Sequence, residues 1–324
     1  MKRRALLLAL AAIGLQPLAR AQQPKSAWRV TYLSAASPAA DRQWVDAFRQ
    51  ELRVLGYIEG QNLVLELRHA GQQPGRLSEI AAELTRSRPD IVVVYGSEPV
   101  AAMQKSGLPI VMTVHADPLG TGLVPSLARP GGNVTGLTDG HADLAPKRLE
   151  ILKDAVPTIK RVAVLYNPGT PHAVRQLRHV QSEAPRLGLS VVPVEVRGVK
   201  EIDAALASVL KERADSLFVA PDPTWWIGQH RKLAQFAIAN RLPTIGTVRQ
   251  FAEQGMLISY GTNFTELWRR SAGYVDKILK GARPGDLPIE QPTKFDLVIN
   301  LKTAQAIGVN VPRALLQRAE QVIE

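Results

Sequence analysis

Polar and aromatic residues recur in this sequence at the points where apolar runs stop. Ile91 to Val94 runs into Tyr95, Gly96, Ser97 and Glu98. WRVTYL ends in Ser34, PIVMTV in His115 and Asp117, and RVAVL in Tyr166 and Asn167. SLFV leads to Asp222, and GMLIS to Tyr260. Gly96 lets a backbone approach another molecule closely, and the amides of a helix start behind it suit a carboxylate. Asp117 suits an ammonium, directly or through water. Tyr95, Tyr166, Trp225, Trp226 and Tyr260 supply apolar faces. Each residue also has a structural reading. Asn167-Pro168 and Asp222-Pro223 are turn formers, Asp117-Pro118 an ordinary helix entry, and Tyr95 a core aromatic with a satisfied hydroxyl. Their common position at strand ends is what favours a binding site.

The elements that must hold these residues alternate. Strands are expected at Trp28–Ser34, Asn62–Arg68, Ile91–Val94 and Pro109–Val114, with helices at 41–55, 77–86 and 99–105 between them. This is the rhythm of an open parallel sheet covered on both faces. ARPGGNVTGLTDG (128–140) interrupts it with a Pro-Gly-Gly turn and a short strand. The rhythm then resumes with strands at 161–166, 190–196, 216–219 and 244–246, and helices at 146–155, 173–187, 202–213 and 230–240. GMLISYG (255–261) reads as a second crossing. A helix over 264–280, a Pro/Gly loop, a strand over 295–300 and a final helix complete the chain. The fold class is α/β: two doubly wound parallel-sheet lobes joined by a hinge of crossing segments. In such sheets ligands sit beyond the carboxyl ends of the strands, so the polar strand ends should form the walls of a cleft.

Composition narrows the setting. The 324 residues are 45% hydrophobic, enough for two cored lobes, and contain no cysteine. That rules out disulfides, thiol nucleophiles, thiolate metal sites and a lipid-modified cysteine anchor. MKRR, then ALLLALAAIGL, then Ala19-Arg20-Ala21 reads as a signal peptide over 1–21, too short in its apolar part to span a bilayer. An uncleaved anchor is the alternative. Removing Lys2, Arg3, Arg4 and Arg20 with the leader takes the net charge from +11 to +7. The remaining basic residues are scattered, which argues against nucleic acid.

Four stretches carry a family resemblance: LGYIEGQNLVLELR (55–68), DPLGTGLVPSLARPGGNVTGLT (117–138), KRLEILKDAVPTIKRVAVLYNP (147–168) and the long segment from Gly255 to Ala304. The chain resembles ABC-transporter substrate-binding proteins of the tryptophan/tyrosine type, a branch of the type I periplasmic binding fold. The resemblance implies a monomeric periplasmic receptor without a cofactor. Its lobes would be 28–138 with 260–284, and 139–259 with 285–324. It would close around a small solute and deliver it to an ABC permease in the inner membrane. It also implies ligand contacts at Ser34, Gly96-Ser97, Asp117, Asn167, Asp222 and Tyr260.

The chain departs from the family pattern near the expected cleft. The turn after the third strand reads Gly96-Ser97-Glu98-Pro99 where the family has a sequence closer to Gly-Thr-Pro. The helix behind it is short, and Trp225-Trp226 is bulky. An inward Glu98 would suit a second cationic group or a water. The solute is expected to be an amino acid, aromatic or branched, with a small aromatic acid or a purine-like compound as alternatives. Two other functions stay open, a sensor presenting ligand to a signalling receptor and an enzyme. Against the enzyme, there is no G-x-S-x-G, no H-E-x-x-H, no third glycine after Gly120-Thr121-Gly122 and no Walker A lysine.

Overall fold

The computed structural model describes residues 27–71, 73, 75–220, 222 and 229–324. The signal peptide expected over 1–21, and Trp225 and Trp226, lie outside the described residues. Two open sheets organise the rest. The first contains β1 (Trp28–Ser34), β2 (Leu63–His69), β3 (Ile91–Tyr95), β4 (Ile110–His115) and β5 (Val134–Thr138), in the order β2-β1-β3-β4-β5 and all parallel. The centre of this sheet is covered on both faces, and β3 and β4 are buried along their whole length. Their continuous apolar runs reflect that double burial.

The helices α1 (Pro38–Val54), α2 (Arg76–Ser87) and α3 (Ser97–Met103) connect these strands. On α1, Trp44, Val45, Phe48 and Leu52 are buried, which is one helical stripe. They pack against α9 (Phe264–Leu279), a helix supplied from far along the chain. The second sheet contains β6 (Arg161–Tyr166), β7 (Ser190–Glu195), β8 (Ser216–Val219), β9 (Thr244–Gly246), β10 (Ile258–Thr262), β11 (Phe295–Asn300) and β12 (Gln321–Ile323). Their order is β12-β11-β10-β9-β8-β6-β7. Around it lie α4 (Ala145–Ala155), α5 (Pro171–Glu183), α6 (Ile202–Lys211), α7 (His230–Ala239) and α8 (Arg249–Glu253), with α10 (Leu301–Ile307) and α11 (Arg313–Leu316) near the end.

Three features differ from the strand-by-strand expectation. The GMLISYG segment is not only a crossing: residues 258–262 form β10 inside the second sheet, and the chain leaves that sheet just after Thr262. The strand β11 then returns antiparallel to β10, pairing Ile258 with Ile299 and Thr262 with Phe295. The chain first visits the other lobe through α9, so it re-enters from the opposite end. The short edge strand β12 was not expected, because three residues carry no readable period.

The chain passes between the sheets after β5, after β10 and before β11. The last passage stays tied to the first lobe, where the Ile289 N–H donates to the Leu127 carbonyl at 2.7 Å and the Glu290 N–H to Gly136 at 3.0 Å. Arg148 on α4 joins the first two passages. It is wholly buried. Its Nε donates to the Tyr260 carbonyl at 2.6 Å and its Nη1 to the His141 carbonyl at 2.8 Å. Burial pushes the guanidinium down to about 9, so it remains charged at neutral pH. Gly261 completes the joint: a Cβ there would sit 1.8 Å from the Thr247 carbonyl.

Replacing Arg148 by Met should therefore cost about 3 kcal/mol, because two buried carbonyls lose a charged donor. Guanidinium unfolding of the ligand-free protein measures this; a loss below about 1 kcal/mol would mean that the joint is held elsewhere.

Candidate functional site

Strand order locates the site before any side chain is considered. In the first sheet the order reverses between β1 and β3, and in the second between β6 and β8. At such switch points adjacent loops leave in opposite directions and open a crevice at the carboxyl ends. A cavity of about 290 Å³ lies between the two crevices. One wall comes from the first sheet: Ala35 and Ala36 after β1, Tyr95 at the end of β3 with Gly96 to Pro99 behind it, and Val114 of β4 with Ala116, Asp117 and Thr121 beyond that strand. The facing wall is Gly169 to His172 after β6 and Asp222 after β8. Asp139 and His141, from the first passage, and Phe264, just after the second, make the floor.

Six of the residues singled out in the sequence line this cavity: Tyr95, Gly96, Ser97, Glu98, Asp117 and Asp222. Gly96 has φ +93°, a left-handed conformation that L side chains rarely adopt, and it is the N-cap residue of α3. Tyr95 lines the cavity and is also a core aromatic. Its ring centroid lies 4.8 Å from that of Trp268, 5.8 Å from Trp44 and 6.4 Å from Phe264, all at steep angles. Burial raises its hydroxyl well above the usual range, so the phenol stays neutral.

Asp117 binds across the cleft. Its Oδ1 accepts the Gly120 N–H at 2.8 Å, and its Oδ2 accepts Arg175 Nη1 of α5 at 2.6 Å. The arginine comes from the facing lobe, so this ion pair ties the two lobes together. Asp222 accepts a hydrogen bond from the Thr170 hydroxyl, joining the β6 and β8 crevices of the second lobe.

Four other candidates stand behind the walls. Ser34 is fully buried and its Oγ accepts the Ala36 N–H at 3.1 Å, so it shapes the turn that presents Ala35 and Ala36. Asn167 accepts the Gly169 N–H at 2.9 Å and does the same for Gly169 to His172. Tyr166 donates to Glu195 at 3.3 Å, toward the β7 edge. Tyr260 packs on the second core and against Phe295, 6.1 Å between centroids, and gives its carbonyl to Arg148.

Sequence reasoning missed Asp139, His141, Thr170, His172 and Phe264. The signal was present in Thr138-Asp139-Gly140-His141. A segment that crosses between two lobes must also floor the gap between them. The Asp139 side chain is buried. Its Oδ1 accepts the His141 N–H at 2.9 Å, and its main-chain carbonyl accepts the Thr262 hydroxyl at 2.7 Å. Burial raises the Asp139 carboxyl to about 7, against the opposing pull of the His141 N–H, Arg148 and Arg175. The His141 ring stacks on Phe264 with centroids 5.5 Å apart and planes 13° from parallel.

An α/β protein whose two switch points face each other across a cavity is a two-lobed small-molecule binding protein. The chain belongs to the ABC transporter substrate binding protein family, whose model matches residues 34–323. It is 25% identical, over 81% of this chain and 75% of the relative, to a tyrosine-binding protein of Clostridioides difficile strain R20291. A conserved domain protein from Vibrio cholerae superposes with a TM-score of 0.85 at 28% identity, over 92% of this chain and all of the other. An ABC domain from Streptococcus pneumonia in complex with L-Trp superposes with a TM-score of 0.84 at 25% identity, again over 92% of this chain and all of the other.

This geometry makes two measurable demands. Replacing Arg175 by Ala should open the ligand-free protein, increasing the radius of gyration in X-ray scattering while melting stays cooperative; an unchanged profile would show that the pair does not hold the lobes together. The buried histidines set the acid response. Burial takes His115 and His230 down to about 4 and lowers His141 as well. Between pH 6.5 and about 4 the unfolded chain protonates these three while the folded chain does not. Asp139 opposes them, because the folded chain keeps a proton there that the unfolded chain releases above about 4. Asp296, also raised by burial, opposes them in the same sense; three groups against two still make the unfolded state the net proton binder, so Tm should fall stepwise from pH 6.5 to 4.5. A flat or rising profile would contradict this balance.

Proposed function

We propose that this protein is the periplasmic receptor of an ABC importer and that it binds an amino acid with an aromatic side chain by closing its two lobes around it. The single observation behind this reading is the cavity formed by both switch points together. Its size suits one small molecule. Four carboxylates, Glu98, Asp117, Asp139 and Asp222, line it with no lysine or arginine among its described lining residues, which favours a ligand bearing a positive charge. Tyr95 and Phe264 give it an apolar side. The turn at Gly96 to Glu98 opens on it and brings the Ser97 and Glu98 backbone N–H groups to its wall. The tyrosine-binding relative and the L-Trp complex support the same ligand class.

Residues 28–138 with the α9 region move as one body, and the second sheet with its helices as the other. A ligand touching both walls favours the closed arrangement because only there does it make all its contacts. The sequence expectation of a cleaved leader and a monomeric receptor handing solute to a permease belongs to this proposal. Binding, without turnover, is the activity.

Thermal melting with L-tryptophan, L-tyrosine, L-phenylalanine, L-leucine and ribose tests the ligand class. At a hundredfold excess over Kd a ligand adds about 2.7 kcal/mol of stability, which shifts Tm by several degrees. An aromatic amino acid should give the largest shift; a shift from ribose alone, or from none of the five, would reject this class.

A further inference from the structure

We infer that Asp139, at the first passage between the lobes, is the anchor for a cationic nitrogen of the ligand, and that His141 holds it in position. This rests on the cleft being the site of an amine-bearing solute. Of the four carboxylates lining the cavity, Asp117 is engaged by Arg175 and Gly120, Asp222 accepts Thr170, and Glu98 stands at the exposed rim. Asp139 is buried on the floor, and among the described residues no lysine or arginine lies within ion-pair distance of it. The group within 4 Å is His141, whose Nδ1 lies 3.5 Å from Asp139 Oδ2, and burial keeps that imidazole neutral. His141 Nε2 is itself buried without a hydrogen-bond partner. The floor therefore holds a carboxylate without an adjacent counter-charge, beside a second polar atom whose hydrogen bond is unmade. Burial disfavours the charged form of such a carboxyl, and a cation that reaches it stabilises that form.

The position is rigid. The Asp139 carboxylate is fixed by the His141 N–H, its main chain by Thr262, and the His141 ring by Phe264. These partners come from both passages, so the anchor sits on the hinge rather than on either wall. A ligand nitrogen can engage it in the open protein, and closure then adds the contacts of both walls.

Protons move with the ligand. Asp139 holds its proton up to about pH 7 because of burial, with Asp143 on the same loop raising it. Arg148 on α4 and Arg175 on α5 pull it the other way. The Tyr95 phenol on β3 faces it as a neutral group, and His172 on α5 faces His141. When an ammonium arrives, the carboxyl proton passes to the buffer and a carboxylate–ammonium pair remains. Affinity should therefore rise about tenfold from pH 6 to pH 8.

Calorimetry with L-tryptophan, tryptamine and indole-3-propionate at pH 6 and 8, on wild type and Asp139→Asn, tests this. Wild type is expected to bind tryptophan and tryptamine, to bind indole-3-propionate at least tenfold more weakly than tryptophan, and to release close to one proton per tryptophan at pH 6. The proton count is read from wild type alone, in buffers of different ionisation enthalpy, so it does not depend on the variant folding. The Asn variant should lose more than tenfold in tryptophan affinity and the pH dependence with it. Tryptophan binding with no proton release, or equal binding of indole-3-propionate, or an Asn variant with wild-type affinity, overturns the anchor and leaves the cleft reading standing. Failure of wild type to bind any of the three probes overturns both.

Discussion

A guanidinium sealed away from water governs how the two lobes meet. Arg148 gives one N–H group to each passage of chain that crosses early between the sheets, and so fixes His141 and Tyr260 relative to one another. Leaving those carbonyls unpaired in the interior would be costly. Solvating them would put water at the base of the cleft. A charged donor that reaches both solves this with one side chain, and Gly261 leaves it room by carrying no Cβ. The floor residues Asp139, His141 and Phe264 are ordered because the joint beneath them is ordered.

Above that joint the cleft is an electrostatic arrangement more than a shape. Acidic residues line the cavity, while the nearest basic groups are placed outside its lining: Arg148 beneath the floor and Arg175 at the side, paired with Asp117. The aromatic cluster of Trp44, Tyr95, Phe264 and Trp268 gives the cavity a firm apolar backing. Acidic and apolar groups thus share one cavity, and Asp117 and Asp139 are each held by hydrogen bonds behind it.

Much of this was legible in the sequence, for a physical reason. Parallel strands buried on both faces must be apolar until they end, so the first polar residue after each run marks the carboxyl edge of the sheet. That logic led to the Tyr95–Glu98 turn, Asp117 and Asp222. The nearest lining residues lie one position beyond Ser34 and two beyond Asn167, because these residues use their side chains to shape their own turns and present their C-terminal neighbours to the cavity. Tyr166 and Tyr260 satisfied the pattern, but their rings pack within the second lobe. The floor was harder to read. Asp139 and His141 lie in a Gly-containing connection that looks like an ordinary loop, and their role depends on where two distant parts of the chain meet. The antiparallel return of β11 was hidden for a similar reason, since direction within a sheet depends on the route taken between strands.

The placement of α9 has a consequence for how the chain comes to be folded. The first sheet is complete by Thr138, yet its aromatic cluster waits for Phe264 and Trp268, and the hydroxyl of Tyr57 waits for Asp276. An N-terminal half emerging alone would pack one face of its sheet from its own residues and leave the aromatic face bare. The first lobe cannot finish its aromatic face until most of the polypeptide has been synthesised, so its full compaction is delayed by connectivity itself. A chain threaded through a narrow channel as an extended strand would profit from that delay.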